Sequence, residues 1–340
     1  MTTTPPIPPG LSGGRLAPAP TGALHLGNAR TFLVAWLRAR LAGRALILRL
    51  EDLDHPKVKP AAAGETYRDL AWLGLDWDAG PDESFPASGR GSDDYVQSRN
   101  LPLYAACLER LRDMGFCYPC ACSRGDLEGI RSAPNAGEDL LEKRYPGTCR
   151  DRFPDPASAR AAAGGREPGW RFRIDDAATS VFEDRFHGRQ ESRLGEWSGD
   201  FLVARGDKAG YQLAVVADDA RMGVAEVVRG DDLLASTHRQ LALYRALALE
   251  PPAFFHIPLV VGPDGRRLAK RHGDSRLSPL RARGEGPERV LGWLAWSCGW
   301  SDDHRRELSL GDIRARADFA AIPKRKIVAE ETHLRWMGMA

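Results

Sequence analysis

The sequence predicts an α/β protein: a Rossmann-type doubly wound sheet split by an insertion, with a short helical C-terminal extension. Three observations predict it. Residues 14–37 read as strand, rigid turn and helix. Strand-length apolar runs recur in two blocks, near 45–50 and across 200–261. Between those blocks, from Cys117 to about Trp197, the composition turns to Gly, Pro, Arg and short β-prone pieces.

The first of these stretches organises the rest. A short apolar segment ends at Leu16-Ala17, and Pro18 and Pro20 forbid a helix there. Phe32, Leu33, Trp36 and Leu37 then recur at helical spacing, which places His25-Leu26-Gly27-Asn28 at the mouth of a helix. The free N–H groups and positive dipole end of a helix attract a nucleotide phosphate. His25 can add a hydrogen bond, and Gly27 leaves room for close approach. An ordinary βα turn with a surface histidine is the plainer reading of so short a motif.

Ala45–Leu50 is an apolar stretch of strand length, broken only by Arg49, and fits a buried parallel strand with Glu51, Asp52 and Asp54 at its end. Ligands of open α/β sheets bind beyond the carboxyl ends of strands, so these acids are expected at the crevice of His25, although Asp54 serves equally as a cap. Helices are expected over Ala61–Leu75, Tyr104–Met114, Ser236–Leu249 and Val290–Trp296. Strands are expected at Trp170–Ile174, Asp200–Val203, Tyr211–Val216, Val224–Val228 and His256–Val261.

The composition excludes several classes. With 340 residues, 43% of them hydrophobic, the chain has ample material for a core, and no apolar run reaches the roughly eighteen residues of a membrane span. Residues 1–9 lack a basic region and an apolar core, so a loose tail is expected there, not a signal peptide. A net charge of +2 requires any basic surface to be local. Cys117, Cys120 and Cys122 crowd together, and Cys149 follows Tyr145-Pro-Gly-Thr; this suggests a metal site in a reducing, cytoplasmic setting. Three thiolates need a fourth donor for a closed tetrahedral zinc site, and Cys117 is the chemically simple one. Inert cysteines are the alternative. Cys107 and Cys298 are expected in the core.

Arg-Leu-Ala-Pro-Ala-Pro-Thr-Gly-Ala-Leu-His-Leu-Gly-Asn resembles the ATP-binding "HIGH" signature of class I aminoacyl-tRNA synthetases, and its Arg-x-Ala-Pro looks like the glutamyl/glutaminyl subgroup. Asn28 replaces the second signature histidine, and Ala19 a usual serine. Arg267-Leu-Ala-Lys-Arg-His-Gly273 is similar to the "KMSKS" loop, with Ala269 in place of a serine. A basic surface loop is its bland reading. Tyr-Gln-Leu-Ala-Val-Val-x-Asp-Asp, Glu-Val-Val-Arg-Gly-x-Asp-Leu-Leu and Arg-Leu-Glu-Asp-Leu-Asp match glutamyl-type segments.

The resemblance implies a class I synthetase fold in which His25, Gly27, Asn28 and Lys270 bind ATP with Mg2+, and in which Lys270 and His25 are catalytic. A mobile cation such as Lys270 acts where pyrophosphate departs and charge accumulates. It implies that Arg15, Ala17, Ala19, Glu51, Tyr211 and Arg229 line glutamate, and that Tyr145 joins Cys120, Cys122 and Cys149 around one structural Zn2+. The charges agree: Arg15 and Arg229 offer planar forks for carboxylates, Tyr211 a hydroxyl, and Glu51 an acceptor for an ammonium group.

The domain reading is a tail at 1–13, a first half of the nucleotide-binding domain at 14–116, and an insertion at 117–198 carrying the zinc site and acceptor-binding region. A second half with the KMSKS-like loop covers 199–275, and a helical segment without an anticodon-binding domain covers 276–340. So truncated a chain is similar to a monomeric glutamyl-type paralog that attaches glutamate to the queuosine base of tRNA(Asp). A compact enzyme charging a tRNA 3′ end, and an inactive RNA-binding or regulatory paralog, are the rival readings. Retention of His25, Glu51, Tyr211, Arg229 and Lys270 together argues against the last.

Overall fold

A computed structural model describes residues 13–20, 22–53, 60–81, 92–123, 125–127, 144–266, 268 and 275–339. In chain order these begin with β1 (Gly13–Leu16), α1 (Leu26–Leu41), β2 (Leu46–Leu48), α2 (Pro60–Trp72), α3 (Leu101–Asp113) and β3 (Cys117–Cys120). Next come α4 (Pro156–Ala162), β4 (Gly169–Phe172), β5 (Thr179–Asp184), β6 (Gly188–Arg193), α5 (Leu194–Trp197), β7 (Phe201–Arg205), β8 (Lys208–Ala209) and α6 (Tyr211–Arg221). The remainder comprises β9 (Val224–Gly230), α7 (Leu234–Ala246), β10 (Ala253–Ile257), β11 (Val260–Val261), α8 (Ser278–Ala282), α9 (Glu288–Ser297), α10 (Leu310–Arg316), β12 (Ile327–Val328) and α11 (Glu331–Trp336).

The chain divides into two compact units. One takes the described residues of Met1–Arg99, Val224–Asp231 and Phe254–Ala340; the other takes those of Asn100–Gly223 and Asp232–Ala253.

The first unit is organised by strands in the order β2-β1-β9-β10, with β1 parallel to both β2 and β9. Parallel strands are covered on both faces, which explains why Leu46-Ile47-Leu48 is apolar without alternation and wholly buried. Gly13 is dictated by close approach: a Cβ there would lie 1.8 Å from the carbonyl oxygen of Ala45. The long helix α1 packs on β1 and β9. Arg38, near its end, grips Glu226 of β9 through two 2.8 Å hydrogen bonds, with its guanidinium 4.0 Å over the Phe255 ring. On α1 as well, Arg30 is fully buried and meets no carboxylate among the described residues. Its three bonds run to Ser297 Oγ, the Ser297 carbonyl and the Pro258 carbonyl, at 3.1, 3.1 and 2.6 Å, tying α1 to α9 and to the end of β10. The C-terminal extension of this unit is helical, as expected, and adds the β11–β12 pair.

The second unit contains an antiparallel sheet in the order β3-β4-β7-β8 and the β5–β6 hairpin. Its core gathers Leu108, Leu111, Trp170, Phe172, Phe201, Val203, Leu213, Val216 and Leu243.

Two sequence expectations need correcting. Tyr211–Val216 forms the first turns of α6, not a strand. Residues 212–219 are all buried and Leu213-Ala214-Val215-Val216-Ala217 is apolar without a break, so periodicity cannot separate such a run from a buried strand. The expected strand His256–Val261 is broken between β10 and β11 at Pro258, which has no N–H to give a ladder.

Candidate active site

The turn after β1 is held on three sides. His25 has an extended N-cap backbone (φ −121°, ψ 167°) and forms an antiparallel bridge with Arg276. Leu26 N–H donates to the Ser275 carbonyl at 3.2 Å, and Leu277 N–H donates to the Leu24 carbonyl at 2.9 Å. Leu24 N–H is taken by a carboxylate oxygen of Asp69, on α2, at 3.0 Å. Leu26 N–H is therefore spent within the protein. Gly27 and Asn28, in the first turn of α1, have no intrahelical carbonyl to reach, so their N–H groups are the ones geometrically suited to an anion. A Cβ on Gly27 would make only ordinary contacts, at 3.7 Å and beyond. Nothing in the chain itself demands glycine there.

Beside this turn the first unit assembles charge. Arg15 on β1 is buried and donates to the Val228 carbonyl at 3.2 Å, the residue before Arg229 on β9. Arg229 is buried as well; its Nε donates to Nε2 of His256 at 2.9 Å, and its guanidinium lies 5.5 Å over the Phe254 ring. The loop after β2 is laced to the loop after β1, with Arg49 N–H donating to Leu16 and Glu51 N–H to Pro18. This sets Glu51 close to Ala17, which is half-buried, and Ala19, which is exposed. The Glu51 carboxylate already pairs with the fully buried Arg49 at 2.8 Å. That pairing leaves acceptor capacity on the carboxylate for a second cation.

The other expected acids divide. Asp52 is occupied structurally, taking Ser98 N–H at 2.7 Å and the Ser98 hydroxyl at 2.5 Å, so it does not join Glu51 as a free carboxylate. Asp54 lies outside the described residues, as does Lys270 with most of its loop. Tyr211 belongs to the second unit, where it is the half-buried first residue of α6 behind the extended Gly210. Three residues escaped the sequence reading: Arg30, Arg49 and His256. Arg49 and His256 are polar side chains inside apolar runs, and that interruption was the available signal, whereas Arg30 stands between Ala29 and Thr31 and carried none.

The second unit holds the thiol cluster. The sulfurs of Cys120, Cys122 and Cys149 all lie within 4.8 Å of one another. Tyr145 completes the group, its hydroxyl 3.5 Å from Cys120 Sγ and 3.8 Å from Cys122 Sγ, and it accepts Cys149 N–H at 3.0 Å. Cys117 is elsewhere. It stands an odd number of residues from Cys120 along β3, so it faces the opposite side, among Leu108, Leu111 and Trp170. Burial pushes its thiol up to about 12, the state of an inert small hydrophobe.

Arg171 supplies the counter-charge. Its Nε donates to Cys120 Sγ at 3.3 Å and its guanidinium lies 3.5 Å over the Tyr145 ring. Burial works against ionising Cys120, but the Arg171 charge and the hydrogen bonds from Tyr145 and Arg171 hold its thiol below the usual range. Cys122 is pushed up to about 12 by burial and by its neighbours Cys120 and Cys149. Three thiols and a phenol oxygen converging around one point suit a tetrahedral divalent cation, whose charge relieves that crowding.

The fold defines a nucleotide-binding α/β protein whose first unit buries two arginines, Arg15 and Arg229, beside the turn that opens α1. The chain belongs to the class I tRNA synthetases (E and Q), whose catalytic-domain family matches residues 13–336. It is 51% identical over 290 residues to a protein named glutamyl-Q tRNA(Asp) synthetase from Symbiobacterium thermophilum, covering 85% of this chain and 87% of that one. It is 39% identical over 326 residues to glutamate–tRNA ligase 2 of Syntrophus aciditrophicus, covering 95% of this chain and 65% of the ligase. The crystal structure of a glutamate tRNA ligase from Elizabethkingia meningosepticum shares the fold, with a TM-score of 0.75 at 23% identity over 95% of this chain and 68% of that one. No described helix is long and apolar enough to cross a membrane.

Proposed function

We propose that this chain activates L-glutamate with ATP to glutamyl-adenylate and transfers the glutamyl group to the queuosine base of tRNA(Asp). The observation that carries the reading is the 51% identity, across most of both chains, to the Symbiobacterium protein of that name. The arginine pair supports the amino-acid choice, because Arg15 and Arg229 are buried cations suited to carboxylates.

In this reading the first-turn N–H groups of Gly27 and Asn28, with His25, receive ATP phosphates. Mg2+ accompanies ATP as the counter-ion of its phosphates. Glu51 receives the substrate ammonium group, and Arg15, Ala17, Ala19, Tyr211 and Arg229 are assigned to the rest of glutamate. Lys270 is assigned to the departing pyrophosphate. Cys120, Cys122, Cys149 and Tyr145 are the ligands for one Zn2+, which when bound supplies a rigid cross-link and no reaction step.

The test is incubation with radiolabelled glutamate, ATP and tRNA pools prepared with or without queuosine. Label is expected only on the queuosine-containing pool, and periodate oxidation of the queuosine diol beforehand should abolish it. Labelling of both pools at the 3′ end would replace this reading with that of a compact enzyme charging a tRNA terminus.

A further inference from the structure

Arg229 is a buried cation whose fork must meet a carboxylate in one orientation, yet an arginine side chain carries several soft torsions. The strand beside it supplies a cradle. Phe254 and His256 stand two residues apart on β10 and so share one face. Their rings stack at 6.0 Å with planes 18° apart. The Arg229 guanidinium rests 5.5 Å from the Phe254 ring centroid while its Nε reaches His256 Nε2 at 2.9 Å. A guanidinium nitrogen only donates, so Nε2 of His256 is the acceptor and the ring proton sits on Nδ1. His256 is wholly buried, so no water stands in for it.

We propose that His256 is a positioning residue for glutamate recognition: by accepting the Nε–H of Arg229 it fixes the rotation of the guanidinium that meets the substrate carboxylate. The inference rests on the reading that Arg229 meets that carboxylate. Side-on binding, through Nε and one Nη, is excluded while His256 holds Nε. His256 touches neither substrate nor nucleotide in this scheme, so its loss should appear in amino-acid binding alone.

The experiment is ATP–pyrophosphate exchange by the full-length protein, with glutamate and ATP varied separately. His256→Leu should raise KM for glutamate roughly ten- to a hundredfold, the range for removing one partner of a buried charged donor, while kcat changes less than threefold and KM for ATP stays put. His256→Gln, whose amide oxygen reaches the place of Nε2, should return KM to within a few-fold of wild type. His256→Asn, whose amide reaches only the place of Nδ1, should not. The Gln/Asn pair keeps the test decisive if the Leu variant fails to fold. A glutamate KM in His256→Leu within twofold of wild type, or equal losses in Gln and Asn, would overturn the positioning role. Arg229→Ala separates the two readings. If it too leaves the glutamate KM unchanged, the assignment of Arg229 has failed and the proposal falls with it. If it raises KM while every His256 variant behaves as wild type, only the positioning role is lost.

Discussion

Arg281 Nε lies 3.1 Å from one carboxylate oxygen of Asp69, while the other oxygen accepts Leu24 N–H directly before His25. A second Arg281 nitrogen reaches Glu65 at 2.6 Å. Burial holds the Asp69 carboxyl above its usual range even with Arg281 and Leu24 as partners. The pair thus links α8, α2 and the turn that opens α1, and it does so with a carboxylate that cannot be left alone.

Arg281→Ala should therefore destabilise the protein by about 2 kcal/mol, less than the full cost of a broken buried pair because Arg281 is partly exposed. It should also weaken ATP binding, since Leu24 precedes His25 in the same turn. Urea melts and ATP titration of the variant measure both. Unchanged ATP affinity in a clearly destabilised variant would confine the link to stability.

Lys270→Ala should slow glutamyl-adenylate formation at least tenfold, upwards of about 1.4 kcal/mol of transition-state stabilisation. A cation beside departing pyrophosphate has its greatest effect as charge accumulates there, so the loss should appear in kcat and not in the KM for glutamate. Pyrophosphate exchange reads it directly, and an unaltered rate would remove this lysine from the reaction.

What was legible in the sequence was what repeats or terminates. Pro18 and Pro20 marked the end of β1, the spacing of Phe32, Leu33, Trp36 and Leu37 marked α1, and Leu46-Ile47-Leu48 marked a parallel strand. The choice between helix and strand at Tyr211 was not legible, because a helix buried on every side loses its polar stripe. Nor was the pairing of buried polar side chains. Arg49 reads as a break in a strand until it is seen against Glu51, and His256 as a strand residue until Arg229 is seen beside it. Local sequence sets the element, but only the neighbouring strand says which polar side chain meets which. The cysteine cluster was half legible: the spacing gathered the thiols, while the alternation of β3 separates Cys117 from them.

Metal content should follow that alternation. Cys120→Ser is expected to lower bound zinc and thermal stability together, and Tyr145→Phe to weaken zinc retention under a chelator. Cys117→Ser should keep a full equivalent of zinc while losing some stability, since it puts a hydroxyl among Leu108, Leu111 and Trp170. Elemental analysis after chelator dialysis checks all three. Retention in Tyr145→Phe with loss in Cys117→Ser would exchange their roles.

His238 gives the second unit an acid limit. Its Nδ1 lies 2.9 Å from Ser180 Oγ, its ring meets Phe182 edge-on at 5.0 Å, and burial lowers it from 6.5 to about 4. As pH falls below 6.5 the unfolded chain takes up the proton first, while the folded one resists until about 4. Stability from this group is therefore complete above about pH 6.5 and is lost progressively down to about 4, by on the order of 2 kcal/mol. His238→Gln should flatten that slope. Urea midpoints at pH 7.5 and 5 compare the two, and parallel losses in both proteins would place the acid sensitivity elsewhere.

The proposed assignment of the arginine pair predicts the amino-acid choice. Arg15 and Arg229 are both buried, and the backbone of Val228 ties one to the strand that carries the other. Glutamine in place of glutamate would leave that positive charge without its partner, and breaking a desolvated pair costs several kcal/mol. Glutamate should therefore be preferred over glutamine by orders of magnitude. Aspartate keeps the charge but is one methylene short, so with Glu51 holding its ammonium group its carboxylate falls away from the guanidinium fork. It should bind worse than glutamate despite the correct charge. Arg229→Ala ought to erase most of the preference. Ala19→Ser, placed on an exposed position of the loop after β1, should leave its direction unchanged. Pyrophosphate exchange with each amino acid on the wild type and both variants decides the matter, and glutamine activation equal to that of glutamate in the wild type would remove the arginine pair from substrate selection.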